Sequence, residues 1–284
     1  MFKAINLLKF ILKHPLAKKN KFLSFTKIIS WQIVSRIFPH SLISYDFVNN
    51  TRLFMKRGLT GSTGNYYAGL HEYREMKFVL NVLREDDIFI DVGANIGSYS
   101  VLSASICKQV YSFEPIKDTF GILNNNIKLN DFESKIQSFN IGLSNKKEKL
   151  LFTNDLDTVN HVSKAKDKNT IELDVDTLDN FIDFKNKNVF IKIDVEGYEL
   201  NVLKGSLDLL SSNQVFGILV ETNDSSDMYD IKSDEIFNLL SDYGFKPVDY
   251  DFENNRIASY KKNDNTIFVK NINEISKRLL SSRI

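Results

Sequence analysis

Ile88-Phe89-Ile90-Asp91-Val92-Gly93-Ala94-Asn95-Ile96-Gly97 reads as a buried strand that ends on an acid and turns through two glycines into a helix. In a doubly wound α/β sheet the ligand crevice lies outside the carboxyl ends of the strands, where such a turn falls. Gly93 lets the backbone turn tightly and approach a ligand, and Gly97 lets the helix start close to the strand. The dinucleotide fingerprint G-x-G-x-x-G is absent, because Ala94 and Asn95 occupy that stretch. A pyrophosphate is therefore less expected there than a ligand whose amino group wants Asp91.

Outward from this turn the chain alternates helix and strand. Helices are expected at Glu72 to Leu83, Ser98 to Ile106 and Thr119 to Leu129, with strands at Val110 to Phe113 and Ile136 to Ile141. Lys149 to Thr153 and Thr170 to Val175 read as a hairpin inserted around a polar loop. The alternation resumes with strand Val189 to Ile193, helix Glu199 to Leu210, strand Phe216 to Glu221 and helix Ser233 to Tyr243. Phe245 to Tyr250 and Thr266 to Val269 can close the sheet as an antiparallel pair. The pattern predicts an α/β fold with a doubly wound, mostly parallel sheet.

Three further strand tips carry ionisable groups. Val110 to Pro115 ends in Glu114, 23 positions after Asp91, where a carboxylate can accept hydrogen bonds from both hydroxyls of a ribose. Val189 to Ile193 delivers Lys192, followed by Asp194 and Glu196, which a period of two puts on one face. A structural salt-bridge cluster is the bland account of that trio, and a functional site the favoured one. Glu221-Thr222-Asn223 ends the next strand. Acids at neighbouring tips suit a nucleoside with positive charge, and S-adenosylmethionine has an ammonium, a sulfonium and a ribose.

Taken together, D-V-G-A-N-I-G at Asp91 to Gly97, F-E-P at Phe113 to Pro115 and I-K-I-D-V-E-G at Ile191 to Gly197 resemble the FkbM methyltransferases. The run Asp174 to Asp179 and Tyr243-Gly244-Phe245 extend the resemblance, which covers about Gly69 to Val269. Thr60 to Glu72 and Leu156 to His161 are similar to a bacterial subgroup of the family. The resemblance implies a Rossmann-like class I methyltransferase fold and methyl transfer, usually to oxygen. It implies that Asp91, Gly93, Asn95 and Gly97 hold the methionine part of S-adenosyl-L-methionine and that Glu114 binds its ribose. It puts Asn140 near the adenine and Asp194 near the sulfonium. The expected acceptor is a hydroxyl on a sugar, glycan or small metabolite, with glycan biosynthesis the favoured setting.

A hydroxyl acceptor needs a base to take its proton. His161, in the inserted loop, is the natural candidate because imidazole titrates near neutral pH, and it joins Lys192, Asp194 and Glu196 as the expected catalytic set. His71 beside Glu72 is the other candidate. No metal site is assigned; a magnesium alternative would use Asp194, Glu221 and Asn223. An NAD-dependent oxidoreductase is disfavoured by the incomplete glycine pattern, and a non-catalytic binding protein by the intact Asp91, Glu114 and Asp194.

The 284 residues suffice for one large α/β domain with an appendage, and the net charge is +1. Met1 to Tyr45 holds eight Lys/Arg and no acid, leaving 29 Lys/Arg against 36 Asp/Glu in the rest. The expected division is a basic helical extension over 1–69 and a methyltransferase domain over 70–284. In the extension, Phe22, Phe25, Ile29, Ile33 and Ile37 recur at helical spacing, and packing on the body is the favoured fate of that stripe. The alternative is contact with an anionic membrane surface. Neither apolar stretch of the extension reaches the about 18 residues a membrane span needs. Nucleic acid is an unexpected partner for the acidic body. The lone Cys107, in an apolar helical run, is read as packing rather than chemistry, and it fits a reducing, cytoplasmic setting, with peripheral contact at the inner membrane face.

Overall fold

The computed structural model describes residues 9–153, 161–163, 169–184, 187–223 and 233–282. Its centre is an eight-stranded sheet. The strands are β3 (Ile88–Val92), β4 (Gln109–Phe113), β5 (Ile136–Phe139), β9 (Val189–Ile193), β10 (Val215–Glu221), β11 (Lys246–Asp251), β12 (Arg256–Ala258) and β13 (Asn265–Val269). They lie in the order β12-β11-β13-β10-β9-β3-β4-β5. The five from β10 to β5 are parallel neighbours, and β13 lies antiparallel between β10 and β11. Chain order reverses at β3, which has β4 on one side and β9 on the other. This is the doubly wound, mostly parallel α/β sheet that the sequence alternation predicts, and it agrees with the Rossmann-like class I methyltransferase fold that the resemblance implies.

All five residues of β3 and all five of β9 are buried, as expected where helices cover both faces of a parallel sheet. Alternate side chains serve the two layers. Phe89 and Phe190 stack with centroids 6.0 Å apart under α4 (Tyr73–Val82), α5 (Ser98–Ala104), α6 (Lys117–Leu129) and α10 (Ile272–Leu280). Ile88, Ile90, Ile191 and Ile193 face α7 (Glu199–Lys204), α8 (Leu207–Ser211) and α9 (Ser233–Asp242). The expected single helix from Glu199 to Leu210 is thus two, interrupted at Gly205 and Ser206.

The inserted hairpin is present as β7 (Glu148–Thr153) against β8 (Thr170–Asp176), antiparallel. It forms a separate small sheet, because the short β6 (Gly142–Leu143) leaves the end of β5 and pairs with β8.

Upstream, α1 (Pro15–Lys19), α2 (Lys21–Ile37) and α3 (Thr60–Ala68) flank a hairpin of β1 (Ile43–Asp46) and β2 (Arg52–Met55) that a purely helical reading left out. Asn49 and Asn50 make its turn with positive φ, a conformation asparagine tolerates. The hairpin is fastened to α6, where Asn126 and Asn130 accept hydrogen bonds from the amides of Phe54 and Arg52, each at 2.7 Å. Ile11, Ala17 and Trp31 bury against Tyr45, Tyr67 and Val101, and His14 hydrogen bonds the Leu70 carbonyl at 2.6 Å. The extension does pack, but not through the stripe expected to do so. Helix α2 buries Ser24, Trp31 and Ser35, and turns Phe22, Phe25, Ile29, Ile33 and Ile37 outward. Among the described residues, no helix is long and apolar enough to cross a membrane.

Candidate active site

Register builds the centre of the crevice. Asp91 on β3 lies beside Ser112 on β4 and Lys192 on β9. The Ser100 hydroxyl on α5 donates to Asp91 Oδ2 at 2.6 Å, and the Ser112 hydroxyl donates to Ser100 at 2.8 Å. Among the described residues Asp91 Oδ1 has no hydrogen-bond partner, and it faces the Lys192 ammonium at 3.9 Å. Lys192 also donates to Asp194 at 3.0 Å and lies 5.0 Å from the centre of the Tyr99 ring. Burial works to neutralise Lys192, but Asp194, Asp91 and Glu72 outweigh it and hold its pKa above the ordinary value. Asp91 is fully buried and outside the cavity walls, and burial raises its own pKa against the pull of Lys192.

Glu114 closes the tip of β4. Its two carboxylate oxygens accept hydrogen bonds from the backbone amides of Asn95 at 2.9 Å and Ile116 at 2.8 Å. Burial pushes its pKa up to about 7, although those two amides pull the other way. Each oxygen keeps a lone pair for a ligand hydroxyl. Gly93, at φ +74°, is where the β3 turn meets β9: a Cβ there would sit 1.9 Å from the Asp194 carbonyl oxygen. Gly97 is the N-cap of α5, and Asn95 takes a positive φ of 51° between them. Asn140 is exposed and spends its amide on the Glu114 and Pro115 carbonyls, both at 2.9 Å. It braces the Glu114 loop, while its neighbours Ile141 and Gly142 line the cavity.

Two cavities meet at a common wall of Gly93, Asn95, Asp194 and Glu196. The first is largely apolar, with Phe113, Ile116 and Leu143 around Glu114, and the inserted sheet contributes Phe152 and its bridge partner Val162. The second is polar, lined by Asn65, Glu72, Tyr99, Lys192, Asp194 and Glu221 among others. A flat ring with a pair of hydroxyls suits the first, and a small polar molecule the second.

Lys192, Asp194 and Glu196 do converge, but not by strand alternation alone. β9 ends at Ile193, and Glu196 reaches the site through a left-handed turn at φ 54°. Glu199 holds that turn by accepting from the amides of Val195 and Gly197, both at 3.0 Å. Carboxylate oxygens of Asp194, Glu196 and Glu221 lie within 4.8 Å of one another. A divalent cation could be held by this trio; the sequence reading had Asn223 in place of Glu196, and Asn223 instead donates to Glu221 at 2.7 Å. Burial, then Asp194 and Glu199, raises Glu196 to about 7, and burial with the neighbouring acids raises Glu221 to about 9.

His161 is buried beside Val162 and lines neither cavity; its backbone pairs with Thr153. Residues 154–160 and 164–168 of the expected loop lie outside the described residues. His71 does line the polar cavity, with its Nδ1 buried and lacking a hydrogen bond among the described residues. Beside it Tyr99 donates to Glu72 at 2.6 Å. Ser100, Ser112, Tyr99 and Asn65 were not anticipated, since lone hydroxyls and amides on helices and strands carry no spacing signal. Cys107 is buried, and burial raises its thiol pKa, as packing requires.

Residues 91–247 match the methyltransferase FkbM domain. The chain belongs to the FkbM methyltransferase family. The hexuronic acid methyltransferase AglP of Haloferax volcanii is 29% identical over 158 residues, which are 55% of this chain and 64% of that protein. The alignment thus spans less than two thirds of this relative's length. Among solved structures, methyltransferase FkbM of Methylobacillus flagellatus KT superimposes with TM-score 0.46 at 18% identity, over 74% of this chain and 52% of its own. The M. jannaschii tRNA m1G37 methyltransferase gives TM-score 0.42 at 13% identity, over 80% of this chain and 55% of its own. The family is the one the motifs at Asp91, Glu114 and Asp194 resemble, and its domain is a methyltransferase domain.

Proposed function

We propose that this chain is an S-adenosylmethionine-dependent O-methyltransferase acting on a sugar or glycan hydroxyl. The observation that carries the reading is Glu114: a buried carboxylate, fixed by two backbone amides, on the wall of an apolar cavity that adjoins a polar one. Bound S-adenosylmethionine would supply a methyl carbon on a sulfonium that leaves as a neutral thioether. Glu114 would hold the ribose hydroxyls, Gly93, Asn95 and Gly97 would shape the loop around the methionine part, and Asp194 would lie near the sulfonium. Asp91 would act from behind, fixing Lys192 and the start of α5. The unit over 70–284 would carry the chemistry, with residues 9–69 packed on it and adding Asn65 to the polar wall.

The acceptor would enter the polar cavity. There its hydroxyl would be held toward the donor methyl, and a base on the wall would take the hydroxyl proton as the new bond forms. Glu196 fits that task better than His161: it lines both cavities and its pKa is raised to about 7. The sugar acceptor rests on the AglP relative. The carboxyls of Glu72, Glu196 and Glu221 offer hydrogen-bonding partners for sugar hydroxyls, while Lys192, the one Lys or Arg among the described residues of this wall, is already engaged by Asp194 and Asp91, which favours a neutral sugar over a uronate in this chain.

Calorimetry tests the cofactor. S-adenosylmethionine or its demethylated product should bind and NAD should not, and Glu114→Ala should cost about 2 kcal/mol, the scale of hydrogen bonds to a charged acceptor. Tight NAD binding, or indifference to Glu114→Ala, rejects the assignment. Intact-mass analysis of neutral hexosides and uronates incubated with the enzyme then tests the acceptor.

A further inference from the structure

Helix α2 is apolar on two opposite sides. One side, around Trp31, packs against the hairpin and α3. The other presents Phe22, Ile29, Ile33 and Ile37, exposed at 80%, 60%, 53% and 62%, in a single stripe along the helix. A helix apolar all round is ordinarily covered all round. An apolar patch left open over the length of a helix marks a surface that something else covers.

The charge around the stripe says what. Lys18 and Lys19 are exposed at the end of α1, Lys21 at the start of α2 and Arg36 near its end, with Lys9 and Lys13 exposed on the helical turns before α1. No acid precedes Asp46 in the chain. A second copy of the chain docked stripe to stripe would crowd these cations together, with no acid on α1 or α2 to pair them. An anionic bilayer offers acyl chains for the stripe and headgroup charge for the cations that flank it.

We propose that the outward face of α2 docks the protein on an anionic lipid bilayer. The opposite face of α2 packs on α3, and Asn65 of α3 lines the polar cavity, so a single helix separates the docking face from that cavity. Acceptors held at a membrane surface would meet the site at short range.

The test is sedimentation of the full chain with vesicles of phosphatidylcholine alone and of equimolar phosphatidylcholine and phosphatidylglycerol, at low and high salt. Binding is expected on the phosphatidylglycerol vesicles, weakened by salt. Each of Lys18→Gln, Lys19→Gln and Lys21→Gln should weaken partitioning about fivefold. The double substitution Ile29→Glu with Ile33→Glu should remove binding while leaving the unfolding midpoint unchanged, since both side chains are exposed. If that pair perturbs folding, the lysine series carries the test on its own. Light scattering completes it, with monomers expected for all variants. Failure to bind, or equal binding to the two vesicles, overturns the proposal. So does a dimer that Ile29→Glu with Ile33→Glu splits, which would assign the stripe to a second copy.

Discussion

Among the side chains of the crevice, two carboxylates 4.8 Å or less apart have different environments and different expected jobs. Asp194 is paired with Lys192 at 3.0 Å, beside the expected sulfonium. Asp194→Asn should cut methyl transfer by about 100-fold, the scale of one removed electrostatic stabiliser. Its stability cost should be near 1 kcal/mol, because the pair is partly open to solvent and Lys192 keeps Asp91. Unfolding scans run beside single-turnover assays separate the two effects, and loss of the fold would make the pair structural. Glu196, raised to about 7, must be ionised to take a proton, so the rate should climb as pH passes 7. Glu196→Gln should remove that limb of the pH–rate profile and cost about 100-fold or more. A profile unchanged in shape would move the base elsewhere, with His71 next in line.

At the scale of elements, α2 invites a contrast between its two faces. Trp31→Ala should cost about 3–5 kcal/mol, as for a large core side chain, whereas Ile29→Ala should fall within about 0.5 kcal/mol of the parent. Urea unfolding of both variants decides it; similar costs would mean that the outward stripe is covered. The same helix shows where sequence reading ran out. β3 and β9 were legible to the residue because a buried parallel strand is a continuous apolar run with sharp ends. α2 was legible as a helix, but with apolar residues on opposite sides the pattern could not say which side meets the core; the small Ser24 and Ser35 beside Trp31 are what let the inner face close. The hairpin at β1 and β2 was missed because four-residue strands alternate too briefly to register, and much of its support comes from asparagine side chains on α6. Within the site, Asp91, Glu114 and Lys192 were legible because strands end where ligands bind. Glu196 was found by assuming that the strand period ran on past Ile193, yet its place is set by a left-handed turn and by Glu199. His161 was drawn toward the crevice by its chemistry and its place in the inserted loop, and the register of Thr153 with His161 leaves Val162 on the cavity wall instead.

For the whole molecule, the raised carboxylates set the sign of pH dependence. Folded Glu114, Glu196 and Glu199 titrate at about 7 and Glu221 at about 9, against an ordinary 4.5. Between those values the folded chain binds more protons than the unfolded one, so stability falls as pH rises. The contribution is complete below about 4.5 and lost as pH passes the folded values. Calorimetric midpoints of the ligand-free protein should therefore drop from about pH 5 to pH 9, and Glu221→Gln should flatten the upper part of the curve. A midpoint that rises over this range would contradict the shifts. The pairing of β3 with β9 has another consequence, for the order in which the chain takes shape. Ile88 lies opposite Val189, so the central strand pair joins residues 101 positions apart. Closing so long a loop is slow, and contacts of this kind form late in refolding. Glu114 and Asp91 belong to the early half and Asp194 and Glu196 to the late one. After dilution from denaturant, helical signal should return well before the ability to bind nucleoside, and a ligand present in the refolding buffer should leave the first phase untouched while trapping the last.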